Sequence, residues 1–185
     1  TAYEIVSRDW SSDVCSSDLT TMPTDIGQEI RTRAIQWLKS TPRRTFVLYP
    51  AVVVLFELAL NRGHLNVSPW GAVLLIWGYL QFRLVGNFRL EHGGGGPGLS
   101  GKPAERLVDD GPYRYVRNPM YLGHLIFMLG LAITFNSWLA VVIMAANAVW
   151  FHRRVLDDER HLEVQFGADY IAYKADVKRW IPWLF

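Results

Sequence analysis

Four apolar runs divide the chain: Phe46 to Leu60, Trp70 to Phe82, Met120 to Phe135, and Trp138 to Phe151. Each is near or below the roughly 17–25 residues of a membrane-crossing helix. Flanking residues extend three of them, to Thr45–Leu65, Pro69–Val85 and Tyr115–Phe135. Only Asn136 and Ser137 separate the last two runs, which predicts a tight helical hairpin. Ahead of the first run, Ile26, Ile30, Ala34, Trp37 and Leu38 recur at helical spacing with Arg31, Arg33 and Lys39 between them. This predicts an amphipathic helix over 24–39, capped by Thr24 and lying in a membrane interface. The expected fold is all-α. Runs this short also suit the buried helices of a soluble protein, so length does not decide between the two.

Charge placement does. The stretch before run one holds Arg31, Arg33, Lys39, Arg43 and Arg44, and the connection to run two holds only Arg62. Between runs two and three lie Arg83, Arg89, Lys102, Arg106, Arg114 and Arg117; the hairpin turn has no Lys or Arg, and the tail has Arg153, Arg154, Arg160, Lys174, Lys178 and Arg179. Apart from Arg8 and Arg62, every Lys and Arg falls on one side of the four runs. Cytoplasmic loops carry this excess. The expectation is a polytopic protein of the inner or cytoplasmic membrane, with about four transmembrane helices, both termini in the cytoplasm and a cytoplasmic C-terminal helical segment. Trp70, Trp77, Tyr79, Trp138 and Trp150 suit interfacial positions, and the closing stretch from Trp180 to Phe185 reads as a second anchor. The expected divisions are an extension at 1–21, an interfacial helix at 22–44 and a membrane domain at 45–185.

Composition narrows the function. Half the chain is hydrophobic and 19% is charged, against roughly 25% charge in soluble domains, which excludes a disordered protein. One Cys excludes a disulfide scaffold and a Cys/His zinc centre. A net charge of +2 argues against a nucleic-acid partner. Residues 1–19, with an echoed Ser-Ser-Asp and no apolar period, look like a translated adapter oligonucleotide. The natural chain is expected to begin near Met22, and Cys15 to carry no chemistry.

Polar groups within the runs are few: Glu57, His124, Asn136 and Asn147. Ionisable groups there are functional candidates by default, whereas Asn147 suits a helix–helix hydrogen bond. Gly93, Gly95 and Gly98 match a dinucleotide pattern in form, but a membrane helix precedes them, and Pro97 and Pro103 are unsuited to the helix start that the pattern needs. A flexible loop is the better reading. Two cytoplasmic stretches carry more information. In 107–124, Gly111-Pro112 makes a turn, and Pro119 suits the first position of a helix. Arg114 and Arg117 beside that helix start could grip an anion. In 157–182, three consecutive acids, Asp157, Asp158 and Glu159, lie at a surface where anionic lipids would repel them. Leu162, Phe166, Tyr170 and Tyr173 come next at helical spacing, with Gly167 as a break.

Together these stretches resemble the isoprenylcysteine carboxyl methyltransferase family, which is related to phospholipid N-methyltransferases. The likeness runs over about residues 70–183. It rests on the run from Gly111 to Gly123, then a helical hairpin, then Asp158-Glu159, Leu162, Phe166-Gly167, Tyr170, Tyr173, Val177, Arg179 and Pro182. Asn118 stands where many members have His, and Asp158 where the paired acids are usually Glu-Glu. The resemblance implies an enzyme with a cytosolic pocket for S-adenosylmethionine and a lipophilic or lipidated acceptor entering from the bilayer. It implies cofactor-binding roles for Gly111, Tyr113, Arg114, Asn118, Pro119, Tyr121, Gly123, His124, Asp158 and Glu159. Arg117 and Glu159 would serve catalysis directly, Arg117 by holding an anion. Carboxyl O-methylation needs no base, since the acceptor is already ionised. Amine N-methylation would need one, from Glu159, His124 or His92. A sterol-reductase-like oxidoreductase and a non-catalytic membrane protein are the other readings.

Overall fold

The computed structural model describes residues 26–94 and 104–181. The expectations for 1–21, for the Thr24 cap, for Gly95 and Gly98 and for the last four residues lie outside that range. Helix α1 (Ile26–Lys39) forms where the amphipathic period places it, and belongs to a unit separate from the one that begins at Ser40.

The second unit opens with one helical turn, Thr41–Arg43, which passes into a wider π-helical turn, Arg44–Leu48, and then into α2 (Tyr49–Leu60). Pro42 and Pro50 lack an N–H to donate. The π turn closes with the Tyr49 N–H donating to the Arg44 carbonyl. Helix α3 (Trp70–Gly93) runs past the second apolar block and stops where Gly94 takes a left-handed conformation, φ 69°. The glycine-rich stretch thus begins as a helix C-cap, a position suited to glycine. Helix α4 (Pro119–Phe135) and helix α5 (Trp138–Phe166) form the expected hairpin. Asn136 turns left-handed at φ 48°, and Ser137 Oγ accepts from the Ala140 N–H. Helix α5 does not end with its apolar run. Its 29 residues continue unbroken through the three acids to Gly167, whose φ of 55° turns the chain into α6 (Ala168–Asp176).

Helices α3 and α4 make the closest crossing. A Cβ at Gly78 would lie 2.5 Å from the Phe127 nitrogen, and one at Gly130 would lie 2.7 Å from the Leu75 nitrogen. Gly71 meets Thr134 in the same way, and Gly123 faces the Gly78 carbonyl and the Phe82 nitrogen, each 3.0 Å from its own Cβ position. The contacting atoms are largely backbone, which cannot swing aside. Small residues that let helix backbones touch suit a lipid surround, where apolar side chains gain little from clustering. Val53, Leu131, Ala132 and Ala140 form the apolar centre of α2, α4 and α5. Asn147 has the role expected of it: its Oδ1 accepts from Tyr49 Oη at 3.2 Å, tying α5 to α2. Glu57 is buried and paired with the residue that caps its own helix, its Oε2 accepting from Asn61 Nδ2 at 3.0 Å.

The outward faces are apolar. Val73, Ile76, Trp77, Leu80 and Leu84 form an exposed stripe along α3, and Trp138, Val141, Val142 and Val149 one along α5. Among the described residues the architecture is all-helical. Among the described residues, only Trp138–Phe166 is long and apolar enough to cross a membrane; Pro119–Phe135 is apolar but shorter. The polar second half of α3, from Gln81 to His92, dilutes what its first half carries.

Gly78→Ala is expected to force α3 from α4 at a cost of about 1–3 kcal/mol, lowering the melting temperature in detergent by roughly 3–10 °C. Ala145→Leu, on the exposed face of α5, should move it little, and thermal unfolding of the two variants side by side checks this.

Candidate active site

The chain between α3 and α4 folds back onto α5 and α6. Gly111–Arg114 forms a 3-10 turn, entered through Gly111 at φ 53°, where a Cβ would strike the Phe88 ring at 2.5 Å. Val116 then pairs with Lys178 in an isolated parallel bridge, and the Arg117 N–H donates to the Lys178 carbonyl at 2.9 Å. This backbone clasp joins the two stretches singled out in the sequence. Three further bonds reinforce it: Arg117 Nη1 to the Lys174 carbonyl at 2.9 Å, Tyr173 Oη to the Tyr113 carbonyl at 2.7 Å, and Asn118 Nδ2 to the Arg179 carbonyl at 3.4 Å.

Glu159 is the centre of the cluster. Arg179 grips it with both ends of the guanidinium fork, Nε to Oε1 at 3.0 Å and Nη2 to Oε2 at 2.8 Å. Arg117 Nε lies 3.3 Å from Oε1, with side-chain exposure of 8% for Arg117 and 4% for Glu159. That Nε–H is out of hydrogen-bond alignment with Glu159 and makes no hydrogen bond. Glu159 faces two guanidinium groups, so one positive charge is left over within the cluster. The Glu159 hydrogen bond also makes the Arg179 guanidinium still harder to deprotonate.

Asp158, one residue earlier, turns to the other side of α5. Its Oδ2 accepts from Tyr121 Oη at 3.0 Å, and Arg154 Nε stands 3.4 Å from its Oδ1. The third acid, Asp157, is exposed and paired with Arg160, outside this cluster. Tyr113 is buried and its Oη has no hydrogen-bond partner. Burial pushes the Tyr113 phenol above its ordinary range, and the Arg89 charge pulls it partly back. Burial raises Tyr170 and Tyr173 likewise, helped by Glu159 for Tyr170 and by the neighbouring Tyr170 for Tyr173. All three are neutral hydroxyls at physiological pH and can donate hydrogen bonds.

The remaining expected residues are spread more widely. Pro119 opens α4 as foreseen, and its carbonyl accepts from Gln81 at 3.0 Å. Gly123 lies in the α3–α4 crossing, and Arg114 is exposed. His124 is buried in an aromatic stack with Phe46, Phe82 and Phe151. His92 is exposed and stacked on Phe88, with Nδ1 2.9 Å from the Phe88 carbonyl. Two residues of the cluster were not singled out by sequence. Arg179 stood in the motif without a role. Arg89 was counted only as a cytoplasmic charge, although the field at Tyr113, Tyr121 and Asp158 includes it.

This clasp lies within the part of the chain that matches known proteins. Residues 70–169 match the phospholipid methyltransferase family. The chain belongs to that family. Over 78 residues it is 33% identical to protein-S-isoprenylcysteine O-methyltransferase of Schizosaccharomyces pombe, which is 41% of this chain and 33% of the relative. It is 30% identical over 81 residues to protein-S-isoprenylcysteine O-methyltransferase B of Arabidopsis thaliana, and 32% over 80 residues to form A, covering 41% and 40% of those relatives. The chain thus spans a third to two-fifths of the length of the curated relatives it matches. These relatives bear out the isoprenylcysteine-type likeness read from the two motifs.

Glu159→Gln leaves the buried Arg117 and the partly buried Arg179 against a neutral amide. Breaking one side of a buried pair costs about 3–5 kcal/mol; the partial exposure of Arg179 (23%) puts the expected loss at the lower end. Denaturant unfolding of this variant beside Arg160→Gln, whose ion pair is exposed, should show the contrast.

Proposed function

We propose that the protein is an S-adenosylmethionine-dependent methyltransferase, acting on the carboxylate of a lipophilic acceptor of isoprenylcysteine type at the cytoplasmic face of a membrane. The observation that carries this reading is the Arg117–Glu159–Arg179 cluster with its surplus positive charge, built on Arg117 and Glu159 of the region of family likeness, where the Arg117 Nε–H pairs with Glu159 by charge but makes no aligned hydrogen bond. A buried donor without an aligned hydrogen bond favours a ligand or water that completes it.

The donor set fits the cofactor. Arg117 would hold its carboxylate, Asp158 offers a negative charge for its amino group, and the Tyr113 and Tyr170 hydroxyls can bond ribose or carboxylate oxygens. S-Adenosylmethionine, when bound, supplies an electrophilic methyl group on a sulfonium. The chain's part is to align the acceptor in line with that methyl and to keep water out. An acceptor carboxylate with a pKa of about 3.5 is ionised at neutral pH, so no side chain has to remove a proton. In that reading the guanidinium groups orient and screen charge, and Glu159 holds them apart at the required spacing. An amine acceptor would need a base, and both Glu159 oxygens already accept from Arg179.

The exposed apolar stripes on α3 and α5 support a multi-pass arrangement of about four spans, since a surface of this kind suits lipid better than water. The polar clasp lies where the basic residues gather, which supports a cytoplasmic site and cytoplasmic termini.

S-Adenosylmethionine and its demethylated product should each raise the melting temperature in detergent, while a nicotinamide dinucleotide should not. Labelled cofactor supplied to membranes should place label in base-labile methyl esters of a lipophilic acceptor. Label in a base-stable phospholipid headgroup would replace O-methylation with N-methylation. Arg117→Lys should lose activity by about 100-fold or more, because Lys lacks the fork; turnover at the wild-type rate would remove Arg117 from the site.

A further inference from the structure

Helices α2 and α5 share an end whose arginines the proposed reaction does not use. Three contacts set the two helices side by side: the Arg44 guanidinium lies 4.9 Å over the Trp150 ring, Tyr49 Oη donates to Asn147 Oδ1 at 3.2 Å, and the Phe56 and Trp138 ring centres stand 5.2 Å apart. As residue numbers rise along α2, those of the partners fall along α5. The helices are therefore antiparallel, and Arg43, Arg44, Trp150 and Arg153 come to the same end. Trp150 is exposed, which puts the Arg44 contact at the outer surface. Arg153 follows Trp150 by three residues, about 4.5 Å along the helix and on the same side. Arg43 and Arg153 are exposed, and none of the three arginines pairs with an acid among the described residues. Arg154 differs, because Asp158 already balances its charge.

Apolar surface leads to this end along both helices. On α5, Val142, Val149 and Arg153 follow at steps of seven and four, all exposed. On the chain entering α2, Arg43, Val47, Ala51 and Leu55 follow at steps of four, again all exposed. An apolar strip that ends in an unpaired cation is the complement of a lipid whose acyl chain ends in a phosphate. Neighbouring helices lie roughly 8–10 Å apart, so arginines from both can reach one phosphate, and the Trp150 ring holds Arg44 in place for it. A zwitterionic headgroup would bring its own cation among these three; an anionic headgroup brings none. The geometry points to a binding site for an anionic phospholipid of the cytoplasmic leaflet, with its phosphate held by Arg43, Arg44 and Arg153 and its chains laid along α2 and α5. The inference rests on the membrane placement proposed above and adds a ligand that takes no part in the reaction.

The test is non-denaturing mass spectrometry of the full chain in a neutral detergent with an equimolar mixture of phosphatidylglycerol and phosphatidylcholine. Wild type should retain phosphatidylglycerol over phosphatidylcholine by roughly 10- to 100-fold, at about fivefold for each arginine. Arg153→Gln should lower that preference by about fivefold, and the double variant Arg44→Gln/Arg153→Gln should bring it within about fivefold of one. Arg153 is exposed, so its variant should melt as wild type does in lipid-free detergent and reports on the site by itself if the double variant fails to fold. Arg62→Gln, beyond the opposite end of α2, should leave the preference unchanged. An equal drop in Arg62→Gln would make the preference a matter of net charge and overturn the site. So would a preference that survives the double variant, or displacement of the retained lipid by glycerol phosphate, which would make the occupant a soluble phosphate. Recovery of the chain in the aqueous fraction without detergent would sink the membrane placement itself, whereas equal retention of the two lipids by wild type would sink this site alone.

Discussion

A carboxylate held between two guanidinium groups organises this molecule. Glu159 sits on a helix that begins in apolar sequence and ends in charged sequence, with its side chain almost wholly removed from solvent. A buried acid in that position needs charge compensation, and the compensation comes from chain segments far apart: Arg117 before α4 and Arg179 after α6. Satisfying Glu159 therefore fixes where the loop and the tail must go. The Val116–Lys178 bridge and the side-chain bonds around it obey that constraint. One salt-bridged acid thus couples folding of the loop before α4 to docking of the tail after α6.

The helices beneath supply a rigid base through a different kind of contact. Glycine against backbone at the α3–α4 crossing leaves nothing to rearrange, so the start of α4, with Pro119 and Tyr121, is held in register with α3. The long α5 carries that rigidity outward, from the hairpin turn at Ser137 to the acids. Asp158 and Glu159 are adjacent on this helix and point to different neighbours. One meets Tyr121 from α4, and the other meets the arginines of the loop and tail. The pair therefore ties α5 to α4 on one side and to the loop and tail on the other.

The π turn before α2 is the exception to this regularity. It leaves Thr45 without the local bond that a helical threonine can make to a preceding carbonyl, and aims Arg44 and Phe46 at α5 and α4. A polar defect in an otherwise apolar helix pair is costly unless a ligand uses it.

Much of this was legible from the residue order. Apolar runs marked α2 to α5, Asn136-Ser137 marked the hairpin, Gly167 marked the break after α5, and the two distant stretches of acids and arginines are the ones that the fold brings together. Local rules sufficed for these, because periodicity, capping and the placement of positive charge act over a few residues. The continuation of α3 to Gly93 and of α5 through the acids was not legible, since a helix supported at one end by packing can carry polar residues past its apolar run. Nor were the partners. Glu159 could have faced a ligand directly, and only the fold set Arg179 against it. Arg89 and Arg44 looked like ordinary cytoplasmic charges until neighbouring helices gave them specific surroundings. Sequence limits which side chains can do chemistry; long-range packing decides which of them meet, because that depends on helix crossings that no short stretch encodes.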